Sequence, residues 1–186
     1  MSMTRRITLT AMLLALVLVF QALRTLFPMM PPHLSFFIIG TLVNLTIFLS
    51  VYFVGFWFTA IIAILAPVVA FLQGHLAFPL LIPVIAVGNL LPPLVWSYLH
   101  TFRQWVSKFI CVLIGSVFKF GFLFFTVPFV FRNFIVNEAM PINQQQAVLT
   151  VFAFNFGWPQ LLTALGGGIL AIVIGRSLEK VVFNNN

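Results

Sequence analysis

The 186-residue chain has no aspartate and only two glutamates, Glu138 and Glu179, and charged residues of every kind make up 6% of it. A soluble domain keeps roughly a quarter of its residues charged, so this scarcity excludes a mainly water-facing surface. A single cysteine, Cys111, rules out an internal disulfide and a thiolate metal cluster; inside an apolar run it reads as a small packing residue. The three histidines, His33, His75 and His100, stand alone, so closely spaced zinc ligands are missing. No glycine-rich phosphate loop with its Lys and Ser or Thr occurs, and the chain is not expected to hydrolyse ATP itself. Gly115-Ser116 faintly echoes a buried serine nucleophile, but no histidine occupies a span centre to serve as its base. Enzymatic chemistry, a resident metal and a cofactor are therefore not expected.

What fills the chain instead is hydrocarbon: 62% of the residues are apolar and the mean hydropathy is +1.18. That much apolar surface must face lipid. An apolar helix needs about 20 residues to cross a bilayer, and charges, prolines and polar clusters cut the sequence into six such segments. The spans fall near 7–27, 35–53, 56–73, 79–98, 107–131 and 147–175. The expected fold is an all-α membrane protein of six transmembrane helices forming one domain. The start, Arg5-Arg6 before an apolar run, resembles a secretory signal, but no small-residue cleavage site closes the run and it reads as a retained first span.

Cations set the orientation, because short cytoplasmic loops are enriched in Lys and Arg. With the N-terminus inside, the inner side receives Arg5, Arg6, Arg103, Lys108, Arg176 and Lys180, and the outer side only Arg24 and Arg132. Both termini are thus expected in the cytoplasm. The pI near 11 comes from these scattered cations, which form no basic stripe for nucleic acid.

Polar groups within hydrocarbon are costly, so those that persist usually face a cavity or another helix. At 1.5 Å per residue, Asn44, Asn89 and Asn155 each descend roughly 12–15 Å from the outer face, and Lys119 lies close to the midplane. Any one asparagine could simply hold two helices together; their convergence with Lys119 favours a site. Around the layer stand Gln21 and Arg24 at the outer end of span one, Gln73 and His75 after span three, and Trp158 and Gln160 flanking Pro159. Amides beside an aromatic suit a small organic ligand. Pro159 and Pro92-Pro93 remove helix hydrogen bonds and can bend spans six and four. A midplane ammonium needs a partner or must be neutral. Lys119 therefore is neutral or snorkels, pairs with an anionic substrate, or meets a carboxylate of a partner protein.

Span one carries Ala11 and Ala15, four apart on one helix face just after the arginine pair; small residues at that spacing admit another helix closely. On a six-span chain of this size, together with Gly40 to Asn44, Pro67 to Gly74 and Ile82 to Asn89, this AxxxA element resembles the S component, the substrate-binding membrane subunit, of energy-coupling factor vitamin transporters. The resemblance implies capture of a water-soluble vitamin from outside a prokaryotic cell membrane, with a separate transmembrane coupling subunit and two ATPase subunits supplying the energy. It gives Ala11 and Ala15 the contact with the coupling subunit, and has the binding subunit topple to deliver its ligand. The sequence also looks like S components assigned to pantothenate, whose carboxylate would suit Lys119 and Arg24. Pyridoxine or a hydroxymethyl pyrimidine stands next. A membrane scaffold or assembly subunit without a ligand is the other class.

Overall fold

The computed structural model describes residues 1–99, 105–136 and 140–183. Among the described residues seven α-helices follow one another: α1 (Met3–Leu26), α2 (Pro32–Phe53), α3 (Phe56–Leu72), α4 (Leu81–Leu99), α5 (Trp105–Val130), α6 (Ile142–Asn155) and α7 (Trp158–Phe183). Among the described residues there is no strand. In hydrocarbon every backbone N–H and C=O has to be satisfied within its own segment, which is what a helix does. Five stretches of the described residues, Met3–Leu26, Pro32–Phe53, Leu81–Leu99, Lys108–Ile135 and Ile142–Glu179, are long and apolar enough to cross a membrane. The equally apolar α3 has 17 residues, a rise of about 25 Å, which a bilayer meets by thinning locally. The chain is a multi-pass all-α membrane protein.

The last of these stretches, Ile142–Glu179, is built from two helices. Phe156 and Gly157 separate α6 from α7, and Pro159 lies in the first turn of α7, where its missing N–H is no loss. A Cβ at Gly157 would strike the Ala153 carbonyl oxygen, so glycine is needed at the break. Proline marks other irregularities: Pro67, Pro92, Pro93 and Pro128 lie inside helices, and α5 ends in a π-helical turn, Phe131–Ile135. Each proline leaves the carbonyl four residues earlier without its usual donor.

Helix α2 is the central element, flanked by α1, α3 and α7, while α5 packs on α4 and α7. Its approach to α7 is close enough that a Cβ on Gly167 would sit 2.6 Å from the Leu45 nitrogen and 2.7 Å from Asn44 Cβ. Two apolar clusters bracket the bundle. One, around Phe48, Trp96, Cys111, Val112 and Ile172, fills the end where Tyr52 of α2 meets Glu179 of α7, with Oη to Oε2 at 3.1 Å. The other, around Leu81, Leu123, Phe131, Phe152 and Phe156, fills the opposite end. Buried Cys111 is part of the first cluster. The polar side chains of the middle spans lie between the two.

Candidate ligand site

Lys119 of α5 is 3% exposed and does not snorkel. Its Nζ donates to Asn44 Oδ1 at 2.7 Å and to Asn89 Oδ1 at 2.8 Å. Among the described residues no carboxylate touches it; Glu138 lies outside them. The two amides are turned toward the lysine by what holds their other ends. Asn44 Nδ2 donates to the Gly40 carbonyl at 2.8 Å and to Thr163 Oγ1 at 3.5 Å. Thr163 Oγ1 in turn donates to the Gln160 carbonyl at 3.2 Å, leaving its lone pairs for Asn44. Asn89 Nδ2 donates to the Ala63 carbonyl at 3.4 Å. Ala63 lies four residues before Pro67, so its helical donor is missing, and the proline thereby supplies the acceptor that orients Asn89. Two donors of the lysine are thus committed, and an ammonium retains a third.

Above this trio is a cavity of about 330 Å³, near the lower end of small-molecule pockets, which span roughly 300–1,000 Å³. It brings together Arg24, Asn44, His75, Asn89, Lys119, Asn155 and Gln160 of the sequence-predicted residues, and Gln21 with them. Trp158 is not among the lining residues: it is 52% exposed and packs on Phe37 and Phe154, with ring centroids 5.5 and 5.9 Å away. Trp158 thus stands at the start of α7, outside the lining that the other predicted residues share. Gln73 also lies outside the lining.

Gln21, on the inner face of α1, donates from Nε2 to the Ala66 carbonyl at 2.9 Å. Arg24, one turn on, donates from Nε to buried Ser35 Oγ at 3.3 Å. At the C-terminal turn of α1 its charge also complements the helix dipole. Burial and the neighbouring Arg24 charge hold His75 below the ordinary histidine range, against a hydrogen bond to the Gln21 backbone that favours the protonated form. The imidazole is therefore neutral near pH 7. A second cavity of about 460 Å³ shares Arg24, Phe36, Val151 and Asn155 with the first and extends to His33 and Met30. The polar chamber thus adjoins the α1–α2 loop at the end opposite Tyr52 and Glu179.

Phe36, Phe152 and Phe156 supply apolar wall. Phe152 is held edge-on to Phe131, Phe78 and Phe156, with centroids 5.3, 6.0 and 5.7 Å apart. With 24 phenylalanines in the chain, nothing in the sequence singles these out. Thr163 was also not foreseen, since a threonine at helical spacing carries no mark of its partner. Among the described residues no group of His, Cys, Asp or Glu could hold a metal ion. Ala11 and Ala15 are exposed on α1, away from the cavity.

No protein-family model matches the chain, and neither curated proteins nor solved structures match it.

Proposed function

We propose that this chain is a solute-capture subunit of the energy-coupling factor type, taking a small water-soluble vitamin into the cavity above Lys119. The carrying observation is that one chamber of about 330 Å³ gathers seven of the polar side chains of the membrane spans and outer loops around a buried lysine. A protein that only packs helices has no need of such a chamber. The third donor of a Lys119 ammonium and the Arg24 guanidinium favour a ligand with a carboxylate, and pantothenate is the leading candidate, ahead of pyridoxine and a hydroxymethyl pyrimidine. Neither an energy source nor a hydrolytic site is assigned to this chain: a transmembrane coupling subunit and two ATPases would drive delivery by toppling in a prokaryotic plasma membrane. The exposed Ala11 and Ala15 are the proposed contact with the coupling subunit.

The second reading, a scaffold or assembly subunit without a ligand, draws on the mutual satisfaction of Lys119, Asn44 and Asn89, which is how polar residues join helices. The two are separated by native mass spectrometry of the chain purified from cells supplied with the three vitamins. Capture predicts a one-to-one adduct with the mass of one of them. The scaffold predicts the bare chain and retained lipid only.

A further inference from the structure

The chamber lining carries acceptors that nothing among the described residues uses. Gln21 is 7% exposed. Its amide nitrogen is committed to the Ala66 carbonyl at 2.9 Å, which fixes the orientation of the whole group. The other end, Oε1, is buried and has no hydrogen-bond partner among the described residues. His75 repeats the arrangement. A neutral imidazole has one donor and one acceptor nitrogen; the ring bonds the Gln21 backbone, and buried Nε2 likewise has no partner. Buried polar atoms are nearly always paired, and these two acceptors belong to neighbouring side chains lining the same cavity. Elsewhere in the same lining Lys119, bonded to Asn44 and Asn89 rather than to this pair, presents a donor beyond those it gives to the two amides.

We infer that Gln21 Oε1 and His75 Nε2 form a recognition pair for hydrogen-bond donors on the ligand, so that the cavity selects a compound bearing a hydroxyl or N–H group remote from its anionic or acceptor end. The inference rests on the capture reading and adds to it the polarity of the ligand: acceptor end toward Lys119, donor end toward α1 and the α3–α4 loop. A simple carboxylate with an aliphatic tail fits the lysine but leaves both acceptors bare. Gln21 and His75 are specificity-determining residues on this account, and the chamber excludes compounds that lack the donor even when their charge is right.

The test measures binding of pantothenate, pyridoxine and the hydroxymethyl pyrimidine to the detergent-purified chain, each beside its deoxy analogue with hydrogen in place of a hydroxyl. Whichever parent binds the wild type should bind about tenfold more tightly than at least one of its deoxy forms. In Gln21→Met and in His75→Phe that ratio should fall toward one. Because the readout is a ratio within each variant, general loss of folded protein does not imitate it. Equal binding of parent and every deoxy form to the wild type, or an undiminished ratio in both variants, overturns this inference and leaves capture standing. Failure of the wild type to bind any of the three parents overturns the capture of these vitamins and the inference with it.

Discussion

Lys119 has its two amide oxygens at 2.7 and 2.8 Å because each asparagine is fixed at its far end by a backbone carbonyl. Removing one amide leaves a buried donor unpaired, at a cost of about 1–3 kcal/mol. Asn44→Leu and Asn89→Leu should each lower the unfolding temperature in detergent, and the double variant should lose measurably less or more than their sum, since both bonds converge on one nitrogen. Strict additivity would mean that the bonds do not share Lys119. The lysine has a separate effect on binding: Lys119→Met should weaken an anionic ligand by ~1.5–3 kcal/mol, the range for a charged hydrogen bond. His75 contributes in the opposite sense to a paired histidine. Its folded-state value lies below the ordinary one, so the unfolded chain binds the proton more readily and stability rises with pH across that window. Stability should be full above the ordinary histidine value of about 6.5 and decline as acid is added below it. In His75→Phe that acid-side decline should be smaller; an identical pH profile would contradict the assignment.

These residues were legible in the sequence to different degrees, for physical reasons. Asn44, Asn89 and Lys119 stand out because hydrocarbon tolerates so few polar groups that each needs a partner. Depth along a helix, at 1.5 Å per residue, then brings them to one layer. Trp158 does not join the lining, because proximity in sequence to Pro159 and Gln160 says nothing about which side of a helix a ring takes, and a new helix begins there. The walls of Phe36, Phe152 and Phe156 were illegible, since lipid-facing and cavity-facing phenylalanines have the same composition.

At the scale of the elements, proline and glycine do specific jobs. Pro67 withdraws an N–H from the Ala63 carbonyl, which Asn89 then uses. Pro67→Ala restores the competing donor, and ligand affinity should fall by about 0.5–1.5 kcal/mol, the net worth of one neutral hydrogen bond, in a chain that still folds. Unchanged affinity would show that the freed carbonyl does not orient Asn89. Gly167 permits the backbone contact of α7 with α2; Gly167→Val would force side-chain atoms onto Leu45 and Asn44 and should cost about 1–3 kcal/mol or more by overpacking. Thermal unfolding in detergent measures it. The sequence foresaw a bend at Pro159, yet the chain breaks at Phe156 and Gly157, because a proline near a helix start is free of cost and the interruption falls just before it. Gly166, Gly167 and Gly168 of α7 carry no mark in the sequence of what they face, which only the packed helices show.

As a whole, the molecule buries the polar layer of Gln21, Asn44, Asn89, Lys119 and Thr163 and exposes many large apolar side chains, with α1 the least enclosed of the five long apolar stretches. Exposed Ala11 and Ala15 leave a shallow strip on that helix, which close helix packing requires. Ala11→Phe or Ala15→Phe should leave vitamin binding by the isolated chain intact and prevent its co-purification with the coupling subunit. Lost binding with normal assembly would contradict the proposed division of labour. The all-α membrane architecture was readable from hydropathy because bilayer thickness fixes helix length, and five of the six expected spans fall on stretches long and apolar enough to cross. The chamber was not, since its volume depends on how seven helices lean on one another.

The central claim is that the space above Lys119 holds a small anionic vitamin, and calorimetric titration of the detergent-purified chain tests it most directly. Pantothenate, pyridoxine and the hydroxymethyl pyrimidine would be titrated in turn into wild type and Lys119→Met. The account predicts saturable one-to-one binding of pantothenate to the wild type, weakened in the variant by a factor of ten or more. No heat from any of the three, or equal affinity in the two proteins, would contradict it.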